Sequence, residues 1–473
     1  MSAAVREVAG GARDGAMPSK GGAYDAIVVG AGHNGLTCAA YLARAGLRVC
    51  VLERRNVLGG ACVTEELQPG QRVSRASYVV SMLQPKIVSD LRLRDFGYEP
   101  IPLDPSYATF GPDGEPIRFH RDTARTQEEL ARYSKRDAAA YPAYEHVLER
   151  AASFLRPLLL RPPPALGSKR PGDLLGVLRE AGRAAGLSRR DMTELFRVMT
   201  MPVGDLLDDW FETDALKGAI ASTGVVGVWA GPRTPGTAYN LLHHELGELN
   251  GMPGAWGHVK GGMGAIARAL AGSAESHGAT VRADAPVRSI DVRDGRAHGV
   301  TLESGEEVRA PLVISGAHPR TTVLELAGAE HFPEEVVEDM SRYRSRGGSV
   351  KINCLLSEPP AFPDDLLHTG VAICPSIDHL ERAWQAAVRG EPAEAPYLEV
   401  EVPTSVDPSL SDDGSCVMTM FTQYGPHSEE GWPEGAREAY AGRCFDILAR
   451  YAPNVPDALI RHEVLAPPDL ERI

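Results

Sequence analysis

The stretch VVGAGHNGLTCAAYLARAGLRVCVLE, Val28 to Glu53, limits the possible folds more than any other part of the sequence. It opens at the end of a β-branched run, DAIVV, of the kind that fills a parallel strand buried on both faces. The run breaks into GAGHNG. Leu36, Ala39, Ala40 and Ala43 then recur at helical spacing until Gly46, where a left-handed residue ends the helix. RVCVLE follows as a second strand, so the whole reads as a right-handed βαβ unit. Gly30 permits the tight strand-to-helix turn, Gly32 lets backbone N–H groups approach a pyrophosphate, and Gly35 lets helix and strand pack closely. Asn34 sits in the same turn, where the helix N-terminus presents unpaired N–H groups and partial positive charge. Glu53 ends the second strand 23 residues after Gly30, placed to accept from ribose hydroxyls. This combination predicts a dinucleotide-binding α/β domain.

The remaining sequence bounds the partners. A chain of 473 residues has room for two or three domains, and 43% hydrophobic with 24% charged residues is ordinary for a globular protein. A formal charge of −14 argues against nucleic acid as a partner. Seven scattered cysteines with no CxxC spacing point to free thiols in a reducing, cytoplasmic compartment and to no metal site. GAIASTGVVGVWAG, Gly218–Gly231, is too short for a membrane span and reads as buried or interfacial; peripheral membrane contact and a homo-oligomer stay open. Residues 1–23 have the composition of a disordered tail.

From Pro85 to Gly251 helical blocks dominate, TQEELARYSKRDAAAYPAYEHVLERAASFL most clearly, with a turn-rich linker at Arg156–Gly172. Ala279–Ser315 reads as a parallel strand, a β-meander and a return to the main sheet; SVKINCLLS, YLEVEVP and CVMTMFTQY read as further strands.

The segment ERRNVLGGA, Glu53–Ala61, resembles the second element of the FAD-binding fold shared by flavin amine oxidases and carotenoid desaturases, E-x-R-x-x-x-G-G. Arg55, Gly59 and Gly60 match it, Arg54 lies inside it, and Ala61 stands where that family often has Arg. With SRASYVVSMLQPKIVSDL, GAWGHVKGGMGAI and FTQYGP, the chain resembles phytoene-desaturase-like FAD-dependent oxidoreductases over most of residues 24–473. The resemblance implies a Rossmann-type, glutathione-reductase-like FAD-binding domain in discontinuous segments, 24–115 and 252–320, with an inserted α+β substrate domain, 116–251 and 321–473. It also implies that the backbone at Val287 meets the adenine. The implied activity is hydride transfer to flavin from a small, apolar or extended organic substrate. A flavin amine oxidase and a non-catalytic flavin-binding protein are the alternatives.

Disulfide reductases of the flavin class carry C-x-x-x-x-C after the glycine doublet. Here Cys62 faces Leu67 at the partner position, so Cys62 reads as a packed free thiol. No catalytic residue stands out. Lys260, His258, His244 and Tyr78 are the candidates, with His243, Trp256 and Ser77 beside them. Complete members of the family finish with a second glycine-rich segment against the flavin, whereas this sequence stops at APPDLERI. It therefore reads as C-terminally truncated, and the expectation is weak FAD binding by the polypeptide as it stands.

Overall fold

A four-stranded parallel sheet carries the glycine turn. It consists of β1 (Ala26–Val29), β2 (Val49–Leu52), β3 (Thr280–Arg282) and β4 (Val313–Ser315), in the order β3–β2–β1–β4. The computed structural model describes residues 24–473 apart from 164–167, 169 and 429; the tail expected over 1–23 lies outside the described residues. Every residue of β1 and β2 is buried, as expected where helices or strands cover both faces of a parallel sheet. Helix α1 (His33–Arg44) turns Leu36, Ala39, Ala40 and Ala43 into a core shared with Ala267, Leu270 and Ala271 of α2 (Gly264–Ser276). The small side chains on both helices allow close approach. Between β3 and β4 the chain makes a three-stranded antiparallel meander over Val287–Arg293, Arg296–Leu302 and Glu307–Arg309, which packs on the opposite face through Val300, Leu302 and Val308.

The second unit is built on a seven-stranded sheet. Its strand order is Leu459–Leu465, Ser349–Leu356, Cys416–Gln423, Tyr397–Glu401, Val371–Ile373, Tyr107–Phe110 and Pro116–Phe119. Tyr107–Phe110 pairs antiparallel with Pro116–Phe119, so the boundary expected at residue 115 would split a hairpin. Both strands belong with the second sheet, because a lone strand cut from its hairpin partner leaves unpaired backbone groups. The expected helical run after Thr126 is two helices, Thr123–Ala131 and Lys135–Leu155; Ser134 accepts from the N–H of Asp137 at 3.1 Å and starts the second. The first six residues of the GAIASTGVVGVWAG segment, Gly218–Thr223, finish the helix Asp214–Thr223, whose Leu216, Ala219 and Ala221 are buried in the core of the helical insert; the remainder forms turns. Among the described residues no helix is long and apolar enough to cross a membrane.

The two faces of the seven-stranded sheet differ sharply. Val350, Ile352, Cys354, Met418, Met420, Leu398 and Val400 point to one side and share a core with the helix Ala436–Leu448. The alternate positions include Lys351, Asn353, Thr419, Gln423, Glu399 and Glu401, all buried, beside Leu355, Val417, Tyr397 and Phe421. Two-residue periodicity thus produces an apolar core on one face and a buried polar layer on the other. Burying such groups is expensive unless they are partnered or used in function.

Candidate functional site

Two arrangements meet here, a dinucleotide cradle and the polar sheet face. In the cradle, β1 runs into Gly30, whose φ of +92° turns the chain sharply and whose N–H donates to the Leu52 carbonyl at 2.8 Å. Gly35 lies so close to the turn that an added Cβ would sit 2.1 Å from the Gly30 carbonyl oxygen. Gly32 meets the second glycine element: it bridges Gly59 in parallel pairing, and the Gly59 N–H donates to the Ala31 carbonyl at 2.9 Å. Asn34 is exposed on the first turn of α1, whose initial N–H groups have no intrahelical partner.

Glu53 is buried at the end of β2 and locks the cradle's edge. One carboxylate oxygen accepts from the Ala31 N–H at 2.8 Å and the other from the Arg55 N–H at 3.0 Å. The chain at Asp284 and Ala285 runs back along residues 53–55, donating to the carbonyls of Arg55 and Glu53. That pairing brings Val287 beside Val29 and Leu52 in a common core. Arg55 Nη2 donates to Glu65 at 2.7 Å, while its Nη1 is buried and has no partner among the described residues. Arg54 points elsewhere: it is exposed and donates to the carbonyls of Arg472 and Ile473, both at 3.0 Å. Ala61 is exposed, and its carbonyl accepts from Ser77 Oγ at 2.8 Å.

Cys62 is buried, with its sulfur 3.6 Å from both Ser77 Oγ and His33 Nδ1. Burial pushes its thiol pKa up, and Leu67 lies on the strand Thr64–Gln68 at the would-be partner position. Cys62→Ser is expected to keep flavin content and thermal stability close to the parent, since the serine hydroxyl retains both polar neighbours. A loss of flavin absorbance in that variant would show that the sulfur matters.

The segment Arg75–Tyr78 links the cradle to the polar sheet face. Arg75 pairs with Glu65, the partner of Arg55, and with Glu463, and its carbonyl accepts from Asn353 Nδ2 at 3.1 Å. Tyr78 Oη donates to Glu399 at 2.8 Å, and Tyr397 Oη donates to the other Glu399 oxygen at 2.7 Å. Lys351 Nζ lies 4.1 Å above the Tyr78 ring centre and donates to Thr419 Oγ1. His258 Nε2 lies 3.0 Å from Glu401 Oε2, but among the described residues no well-directed donor reaches that oxygen. Burial lowers the Lys351 pKa to about 7, against the opposing pull of Glu401 and Glu399. Burial and the neighbouring Glu401 raise that of Glu399.

The candidates read from sequence therefore separate. Tyr78 and His258 converge on the polar face. Lys260 sits on the exterior, ion-paired with Glu99 at 3.2 Å, more than half exposed. His244 is driven down to about 4 by burial and by His243, and packs against Trp256 with ring centres 5.4 Å apart. Sequence reading missed Lys351, Glu399 and Glu401. Their one local signal is a charged residue at the polar positions of an alternating strand, as in SVKINCLL and YLEVEVP. Among the described residues no cluster of His, Cys, Asp and Glu forms a metal site.

Comparison with known proteins agrees with this architecture. The flavin containing amine oxidoreductase family matches residues 35–457. Pyridine nucleotide-disulfide oxidoreductase domain-containing protein 2 of Rattus norvegicus is 38% identical over 95% of this chain and 82% of its own length. Phytoene desaturase (neurosporene-forming) of Cereibacter sphaeroides is 27% identical over 94% of this chain and 82% of its own. Among solved structures, an oxidoreductase from Methanosarcina mazei superimposes with a TM-score of 0.59 at 15% identity, covering 93% of this chain and 88% of that one. Putrescine oxidase bound to putrescine gives 0.56, also at 15% identity, over 93% and 84%. The chain belongs to the flavin containing amine oxidoreductase family and is an FAD-dependent oxidoreductase of α/β architecture.

Proposed function

We propose that this enzyme oxidises an apolar or extended organic molecule at the polar face of the seven-stranded sheet, with Lys351 as the proton acceptor. The observation that carries the reading is Lys351 itself: a lysine 2% exposed, on a strand whose other face is solid core, beside two buried carboxylates. A structural ion pair would close on one partner, whereas Lys351 donates to the neutral Thr419 and rests on an aromatic face.

Gly30, Gly32, Asn34, Gly35 and Glu53 hold the dinucleotide in this reading, with Gly59, Gly60 and Ala61 closing over it and the Val287 backbone at its adenine end. The fit rests on the orphaned, buried Arg55 Nη1 and on the close backbone approach of Gly32 and Gly60, where a Cβ on Gly60 would come within 3.2 Å of the Gly32 Cα. Arg54, which donates to the carbonyls of Arg472 and Ile473, is left out of the contact set. Bound FAD supplies a two-electron acceptor. The substrate gives up a hydride from one carbon, and the proton from the adjacent atom passes to the neutral amine of Lys351. Tyr78 and Tyr397 fix Glu399, and Glu399 with Glu401 keeps the ammonium from being expelled as it forms.

An apolar substrate is supported by the similarity to phytoene desaturase and by Phe421, which shares the polar face and lies 5.9 Å from the Tyr78 ring. The amine-oxidising alternative draws on Glu401 Oε2, a buried carboxylate oxygen without a directed donor and suited to an ammonium. The seven free thiols support a reducing compartment such as the cytoplasm. The test is anaerobic bleaching of flavin-loaded protein by panels of polyenes, lipids and amines. Bleaching by apolar compounds supports the first reading, bleaching only by amines transfers the assignment, and no bleaching by any panel rejects both.

A further inference from the structure

Among the described residues, the exposed large apolar side chains are concentrated in one stretch of the chain. Eight of the twelve exposed large apolar side chains among the described residues lie between Leu159 and Met199. The helix Pro171–Ala185 buries none of its residues and leaves Leu174, Leu175 and Leu178 half to two-thirds exposed. The next helix, Arg189–Thr200, starts with a full capping box at Ser188 and Asp191. It presents Met192, Phe196 and Met199 at i, i+4 and i+7, with Phe196 69% exposed. Two successive amphipathic helices with bare stripes exceed the scattered apolar exposure normal for a monomer.

Charge identifies what fits this surface. Between Arg156 and Thr200 the sequence holds nine Lys and Arg against four Asp and Glu, inside a chain of net charge −14. Glu180 is shared by three guanidiniums, those of Arg161, Arg179 and Arg183, at 3.2, 3.0 and 2.5 Å, which leaves local positive charge in excess. Arg189 and Arg190 make no ion pair among the described residues. A symmetric dimer through this face would set two cationic patches against each other. Leucine and phenylalanine stripes flanked by arginine suit an anionic bilayer, where the apolar side chains enter the acyl boundary and the guanidiniums meet phosphates.

We propose that the helices Pro171–Ala185 and Arg189–Thr200 form a docking surface for an anionic lipid bilayer. The inference is independent of the flavin chemistry and of the substrate assigned above, because vesicle binding needs neither. The experiment is flotation of the full chain with vesicles of phosphatidylcholine alone or mixed with phosphatidylglycerol. The parent protein is expected to float with the mixed vesicles at least about tenfold more than with phosphatidylcholine, and to release at high salt. Leu175→Glu/Leu178→Glu and Arg189→Glu/Arg190→Glu, both at exposed positions, should each lower binding roughly tenfold or more with an unchanged melting temperature. Absence of binding to the mixed vesicles overturns the proposal, as does binding that both double variants retain. Sedimentation showing a dimer that the leucine variant dissolves also overturns it, by assigning the surface to a second copy of the chain.

Discussion

Gly35→Ala is expected to abolish flavin retention and to destabilise the protein by about 3 kcal/mol, the range of a severe overpacking lesion. The added methyl would stand 2.1 Å from the Gly30 carbonyl oxygen and 3.3 Å from Val28 Cγ1. The first obstacle is backbone, held by the Gly30 N–H bond to Leu52, so no side-chain rotation relieves it. The turn must open, and the N–H groups at the start of α1 then lose their common direction. Gly32→Ala makes the informative contrast. Its methyl meets nothing nearer than the Gly60 Cα at 4.0 Å, so the fold should survive while the gap proposed to admit the pyrophosphate narrows. Flavin absorbance together with thermal melting separates the two effects. A Gly35→Ala protein that melts and binds flavin like the parent would remove the steric argument.

Lys351→Met is expected to slow substrate-dependent flavin reduction by about 10²–10⁴-fold, the usual contribution of a positioned acid or base, with flavin content unchanged. The sign of the pH dependence follows from the direction of the shift. Burial brings the Lys351 pKa down to about 7, and the neutral amine is the acceptor, so the parent rate should rise as pH passes upward through about 7. In Lys351→Met that limb should vanish. Glu399→Gln should move the limb to lower pH, because it removes an anion that favours the ammonium. The groups facing Lys351 are Glu399, Glu401 with His258, Tyr78 and Thr419, so a limb attributable to another group should respond to His258→Asn instead. Stopped-flow reduction across pH checks all three variants. A Lys351→Met enzyme with the parent rate and profile would make the lysine purely structural.

The cradle was legible in the linear sequence because its parts are local. Gly30, Gly32, Gly35 and Glu53 lie within one βαβ unit, and their spacing alone demands the turn, the helix start and the edge carboxylate. The glycine doublet follows within a few residues, and Cys62 could be set aside by counting to Leu67. The return strand β4 and the meander were also readable, since each has its own turn signals. The polar face was not. Lys351, Asn353, Thr419, Glu399 and Glu401 come from three strands separated in sequence by intervening helices and loops. Each strand alone reads as ordinary alternation with one face in solvent. Lys260 drew attention because it sits in a glycine-rich block, yet its side chain leaves the molecule to meet Glu99.

The sequence by itself determined the dinucleotide-binding unit, the family resemblance and the absence of a redox cysteine pair at the glycine doublet. All three are carried by residue identity and spacing along the chain. Only the tertiary structure decided which lysine is buried, that Tyr78 and His258 reach the same carboxylate layer, and that Arg54 turns away from the cradle while Arg55 keeps a free donor. Those outcomes depend on how segments distant in sequence pack against one another. Period-two alternation specifies that a strand has two faces, and only packing specifies that the polar one is buried.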